Sequence, residues 1–228
     1  TLPLILGHEF AGTVAEIGPG VSGFKLGDRV AVDPIFASGD DDECRRGDSH
    51  LCRKLGFQGL SGGGGGFSES VVVLAERTHA LGDLGTDIGA MVEPLAVAFH
   101  AVRQSPICPG DTAVIYGAGP IGQATILCLR AAGAGTVIVV DPAAARQRMA
   151  RTLKADLVLD PREVDVPGEV LRLTRGRGAE VVYDCAGLDA TVTSAMDTVR
   201  RGGTIVMVAI WGHPAKVDML ALVLREIR

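Results

Sequence analysis

Six consecutive residues, Gly117-Ala118-Gly119-Pro120-Ile121-Gly122, have the spacing of a loop that lets backbone approach a phosphate. The run follows an apolar stretch of strand character and opens a helical one, the context that gives the spacing meaning. Gly117 allows the tight turn, Gly119 leaves room for a pyrophosphate, and Gly122 lets helix pack on strand. Pro120 and Ile121 begin the helix, whose free N–H groups and positive dipole end face the same point. Asp141 ends the next strand, 22 positions after Gly119. That is near the ~20 expected of an acid accepting from the adenosine ribose hydroxyls. An acid there repels a 2′-phosphate, so the expected cofactor is NAD rather than NADP. The competing reading is a glycine-rich turn in another doubly wound domain, with Asp141 as a helix cap.

A second set of donors is spread more widely. His8 and Glu9 precede the first clear strand, and Glu93 stands just before Pro94. An imidazole and carboxylates suit a zinc ion that keeps one position open for a substrate oxygen. Taken alone, spacing favours the plainer reading: His8-Glu9 as a surface turn, and Glu93 as a carboxylate stabilised by a helix start.

These residues need two kinds of scaffold. From residue 10 to about 73 the signal is β: a loose alternation over 10–17, a turn at Gly18-Pro19-Gly20, a short strand over 29–32 and a β-branched run at 71–73. Between them lie a charge-dense loop, 38–53, and five glycines in a row at 62–66, read as a flexible turn. No long helix fits before residue 86. A linking helix then starts with Pro94 at its first position, where a missing N–H costs nothing. Beyond Pro109 strands and helices alternate. Strands are expected at 112–116, 136–141, 156–160, 181–185 and 204–209, with helices at 120–132 and 143–153. That order means βαβ units and a parallel sheet. The boundary is expected near residue 105.

Composition narrows the function classes. The chain has 228 residues, 47% hydrophobic, with a mean hydropathy of +0.29, enough to bury a sizeable core. Net charge is −5 without a long basic run, which argues against nucleic acid or an anionic membrane as partner. No apolar stretch approaches the ~18 residues of a transmembrane helix. Five cysteines, an odd number, with no secretory signal, point to a reducing cytoplasm rather than a disulfide framework. Both ends of the chain look cut.

In order, Gly7-His8-Glu9-Phe10-Ala11-Gly12, Gly27-Asp28-Arg29-Val30, Glu93-Pro94-Leu95-Ala96-Val97 and the glycine motif at 117–122 resemble the zinc-containing medium-chain alcohol and polyol dehydrogenases. Leu55-Gly56-Phe57 with the glycines at 62–66, and Val208-Ala209-Ile210-Trp211-Gly212, are most similar to the 2,3-butanediol dehydrogenases of that family. The resemblance implies an α/β chain: a partial GroES-like β-rich catalytic domain over 1–105, including the linking helix, and a Rossmann domain over 106–228 with a doubly wound parallel sheet. It implies that the last Rossmann strand and a returning catalytic segment are missing, as in the middle of a subunit of ~350 residues.

By the same resemblance His8 is a zinc ligand, Glu9 an adjacent carboxylate that ligates or supports the metal, and Glu93 a carboxylate beside it. Cys185 and Val208 would lie along the NAD. The family's first cysteine ligand falls before this chain begins, so an isolated fragment is expected to bind NAD weakly and catalyse poorly. Its four-cysteine lobe reads here Ser38, Asp41, Cys44, Cys52. Two thiolates and one carboxylate leave weak zinc binding as an alternative, but serine is a poor ligand, and the favoured reading is a metal-free lobe with ordinary thiols. The implied activity is zinc-dependent, NAD-linked oxidation of a secondary alcohol or vicinal diol, closest to 2,3-butanediol to acetoin, in a cytoplasmic homo-oligomer. The alternatives are a sorbitol- or threonine-type dehydrogenase and a non-catalytic NAD-binding remnant.

Overall fold

The computed structural model describes residues 4–228. The chain packs as two compact units, the first ending at Glu93 and the second spanning Pro94–Arg228. The division falls at the start of the linking helix, whereas the sequence places it near residue 105, at that helix's end.

In the first unit β1 (Ala11–Thr13), β2 (Arg29–Val32), β3 (Ile35–Phe36), the one-turn helix α1 (Asp42–Arg45), β4 (Gly56–Phe57), β5 (Thr78–Ala80) and α2 (Thr86–Gly89) follow one another. β1, β2 and β5 form an antiparallel sheet with β2 in the middle, and β3 pairs with β4. Val30, Ala31 and Val32 of the middle strand are buried. The strand expected at 10–17 contracts to three residues, because pairing past Val14 is taken over by its hydrogen bonds with Gly27 and Asp28. Residues 71–73 form no strand: Val72 is 91% exposed, and its carbonyl accepts from Gln58 Nε2 at 2.8 Å. β5 supplies the third strand instead.

Helix α3 (Val92–Gln104) carries Glu93 in its first turn. Pro94 is its third residue rather than its first, and an N–H there still has no intrahelical partner to lose.

The second unit continues with β6 (Thr112–Tyr116), α4 (Pro120–Ala131), β7 (Thr136–Val140), α5 (Ala144–Thr152), β8 (Leu157–Leu159), α6 (Val166–Leu173), β9 (Ala179–Asp184), α7 (Asp189–Thr198), β10 (Val199–Met207) and α8 (Met219–Arg225). The five strands are parallel in the order β10-β9-β6-β7-β8. Successive side chains of β6 point to opposite faces. Ala113 and Ile115 join Ala98, Val102, Ile126 and Leu129 in one core, while Val114 and Tyr116 join Ile138, Val170 and Ala195 in the other. Burial on both faces explains the continuous apolar strands. All five expected strands are present. β10 starts five residues early, with an irregular step between Val199 and Thr204. Among the described residues no helix is long and apolar enough to cross a membrane.

Ile115 is fully buried in the central strand. Ile115→Ala should lower unfolding free energy by about 2–5 kcal/mol, read by urea denaturation. A loss below ~1 kcal/mol would show that the layers close over the cavity.

Candidate metal and dinucleotide sites

In the first unit His8, Glu9 and Glu93 come together: one ligand atom from each lies within 4.8 Å of the others. His8 and Glu93 are half-buried and Glu9 is exposed. Burial pushes the Glu93 carboxyl above its usual range; His8 pulls it down, and Glu9 and Asp33 push it further up. Like charges crowded around one imidazole are relieved by a cation, so the donor set and its electrostatics fit a zinc-type ion.

The segment bearing His8 is held by the glycine run. Gly66 donates to the Gly7 carbonyl at 2.9 Å, and Phe67 to that of Leu6 at 3.0 Å. A Cβ on Gly65 would stand 2.4 Å from the Leu6 carbonyl oxygen, and one on Gly59 2.1 Å from that of Gly7. At Gly65 a side chain is excluded because two backbones lie against each other, while a Cβ on Gly62 or Gly64 would meet nothing within 4 Å, as expected of an open turn. The Phe57 ring meets His8 edge-on, with centroids 6.3 Å apart.

In the second unit the glycine motif lies where sequence places it, between β6 and α4. Gly117 has φ +92° and donates to the Val140 carbonyl at 2.8 Å. A Cβ on Gly122 would lie 1.9 Å from the Gly117 carbonyl oxygen, whereas one on Gly119 would meet nothing within 4 Å. The first position is closed by protein and the second faces open space. Pro120 and Ile121 form the first turn of α4.

Asp141 is only 1% exposed. Its Oδ2 accepts from Ala118 N at 2.8 Å and its Oδ1 from Ala143 N at 2.7 Å. Its carboxylate therefore ties the glycine loop to the end of β7 and is not an open ribose acceptor here. Arg146 Nη1 lies 3.6 Å from Oδ2, a neighbour that sequence reading passed over.

Cys185 donates its N–H to the Tyr116 carbonyl at 2.8 Å, beside the glycine turn. Burial pushes its thiol up to about 12, while Thr125 acts in the opposite direction. Val208 N bonds the Asp184 carbonyl at 2.9 Å. These two expected residues thus flank Asp184, which sequence reading missed. Its fully buried carboxylate accepts from Ala186 N, Gly187 N and Thr191 Oγ1 at 2.9–3.2 Å. The only sequence signal was an acid ending an apolar strand.

Comparison with known proteins supplies the relationship. The family model described as alcohol dehydrogenase GroES-like domain matches residues 1–83, and the one described as zinc-binding dehydrogenase matches 120–228. A zinc-binding dehydrogenase from Sinorhizobium meliloti 1021, solved with NADP bound, is 34% identical with a TM-score of 0.92 over 100% of this chain and 68% of its own. The chain belongs to the zinc-binding dehydrogenase family. Its GroES-like and Rossmann-type parts are those of the family.

(R,R)-Butanediol dehydrogenase of Bacillus subtilis is 41% identical over 99% of this chain, and its solved structure superposes with a TM-score of 0.91. Sorbitol dehydrogenase of the same organism is 35% identical over 91% of the chain. This chain spans 64% of the length of the first relative and 59% of the second.

The two glycines predict different outcomes. Gly122→Ala should lower the thermal midpoint by more than ~4 °C, because a carbonyl must move, while Gly119→Ala should leave it within ~1 °C. Differential scanning fluorimetry without ligand checks this; equal effects would contradict the close approach at Gly122.

Proposed function

We propose that this chain carries the metal and dinucleotide sites of a zinc-dependent, NAD-linked oxidoreductase of secondary alcohols or vicinal diols, most closely 2,3-butanediol to acetoin. The observation that carries the reading is the approach of His8, Glu9 and Glu93 to within 4.8 Å. The relatives' printed activities support the substrate class. The reading includes a cytoplasmic homo-oligomer with a small alcohol or diol as substrate and neither nucleic acid nor membrane as partner.

His8, Glu9 and Glu93 would hold the zinc, which when bound supplies Lewis-acid polarisation of the substrate hydroxyl. The His8 imidazole would contribute a nitrogen donor, on a segment whose Gly7 and Leu6 carbonyls accept from Gly66 N and Phe67 N. Glu93 holds a proton to higher pH than an ordinary carboxylate, and must lose it to serve as ligand. In the second unit the open space over Gly119 and the first turn of α4 receive the pyrophosphate of NAD. Asp141 holds Ala118 in position for that contact. Cys185 and Val208 line the same strand ends.

Zinc content tests the first site. Preparations should hold about one zinc per chain, and His8→Ala or Glu93→Gln should lower occupancy at least ~10-fold. Uptake by wild type should rise as pH rises through the elevated Glu93 pKa, and this step should vanish in Glu93→Gln. A chain that binds NAD but no zinc would be the non-catalytic remnant.

Calorimetry tests the second site. Gly119→Ala should weaken NAD binding by ~10-fold or more, and Asp141→Ala, which releases Ala118 N from its carboxylate partner, should weaken NAD binding through the loosened glycine turn. Turnover on 2,3-butanediol, sorbitol and threonine by the complete protein decides the substrate. A zinc-loaded protein that turned over no secondary alcohol with NAD would refute the assignment.

A further inference from the structure

The charge-dense loop of the first unit holds two thiols that the reading above leaves unused. Cys44 is half-buried in α1, and Cys52 is buried at the end of the 3-10 turn Ser49–Leu51. Their sulfurs and one Asp41 carboxylate oxygen lie within 4.8 Å of one another. Ser38 sits on Cys52 with both its polar groups: its N–H donates to the sulfur at 3.3 Å, and its Oγ lies 3.3 Å from the same atom. Asp41 is already engaged on both oxygens, by Cys44 N at 2.9 Å and Arg53 N at 2.7 Å. The sulfur pair is therefore the part of the cluster with unspent chemistry.

We propose that Cys44 and Cys52 form a peroxide-responsive dithiol that closes to an intramolecular disulfide. The sulfurs must approach to about 2 Å, which requires a shift of the two short segments that carry them, with Cys52 moving from a buried position. Both segments can give: α1 is one turn long, and neither it nor the 3-10 turn buries a side chain.

The roles of the two sulfurs follow from their surroundings. Ser38 holds the Cys52 thiol below its usual range, whereas burial, with Cys52 and Asp41 alongside, pushes Cys44 up to about 11. The Ser38 N–H donated to the Cys52 sulfur stabilises a thiolate there, which makes Cys52 the nucleophile and Cys44 the resolving thiol. Cys52 sulfur attacks one oxygen of hydrogen peroxide: the S–O bond forms, the O–O bond breaks, and hydroxide leaves, taking a proton to become water. Cys44 sulfur then attacks the sulfenic sulfur: the S–S bond forms, the S–O bond breaks, and the departing hydroxide takes the Cys44 proton. Two thiols lose two electrons and two protons, and the peroxide becomes two waters.

The test treats the purified chain with hydrogen peroxide, alkylates the remaining thiols with iodoacetamide and maps tryptic peptides with and without dithiothreitol. The expected product links the Cys44 and Cys52 peptides, about 2 Da lighter than their sum and reversed by dithiothreitol, with Cys128 and Cys185 still alkylatable. Cys44→Ser should abolish the link and leave Cys52 trapped as a sulfenic acid that dimedone labels. Ser38→Ala should slow closure several-fold. Oxidation of Cys108 ahead of the pair, overoxidation of Cys52 at the same rate with and without Cys44, or a bound metal that protects both thiols until chelated would each overturn the proposal. If Cys44→Ser fails to fold, the wild-type peptide map decides alone.

Discussion

A carboxylate buried at the mouth of a parallel sheet is tolerated when backbone N–H groups meet it, and two such carboxylates flank the central strand here. Asp141 follows β7 and Asp184 ends β9, the two neighbours of β6. An unpaired buried charge would be several kcal/mol unfavourable, so each acid fixes the loop whose N–H groups it needs. Asp141 takes the N–H of Ala118 and so sets the height of the glycine turn above the sheet. Asp184 takes those of Ala186 and Gly187, and Ala186 lies against Gly117. Two acids thus hold the glycine turn from both sides, and its backbone presents an open face at Gly119 without a side chain having to reach toward a ligand.

The first unit reaches comparable rigidity differently. It has little regular structure, and the longest strand among its described residues has four residues. The His8 segment is held by backbone lying on backbone, which only a run without side chains permits. The five glycines look like a loss of order, since each adds freedom to the unfolded chain. One of them, Gly65, lies against the Leu6 and Gly7 carbonyls, a contact that any Cβ there would break, whereas Gly62 and Gly64 face open space.

How far the sequence could be read follows from the range of the interactions involved. β6 has the bounds its apolar run predicts, because a strand buried on both faces is written in consecutive residues. The expected strand at 71–73 is absent and the polar β5 present, because membership of that sheet depends on which segment reaches β2. Helix α6 escaped notice because Pro167 and Gly168 in its first turn read as a loop, although proline is at home there. The donors His8, Glu9 and Glu93 were legible only through an ordered resemblance, since 84 positions separate Glu9 from Glu93. Asp184 left only the trace of an acid ending an apolar strand, because its partners are mostly backbone amides, which every residue but proline possesses.

The two acid-containing clusters of the first unit show why proximity of donors does not by itself make a metal site. Asp41 has its proton affinity held well below the usual carboxylate range by the N–H groups of Cys44 and Arg53. Its charge is already satisfied, and a cation would compete with those bonds. Glu93 stands at the opposite extreme: burial and the neighbouring Glu9 and Asp33 raise its proton affinity, so the anion is short of stabilisation. A cation binds most favourably where carboxylates are destabilised in its absence. By that measure the His8–Glu9–Glu93 cluster is prepared for an ion. The lobe around Cys44 and Cys52 is prepared to hold itself together, which leaves its sulfurs free to react with each other.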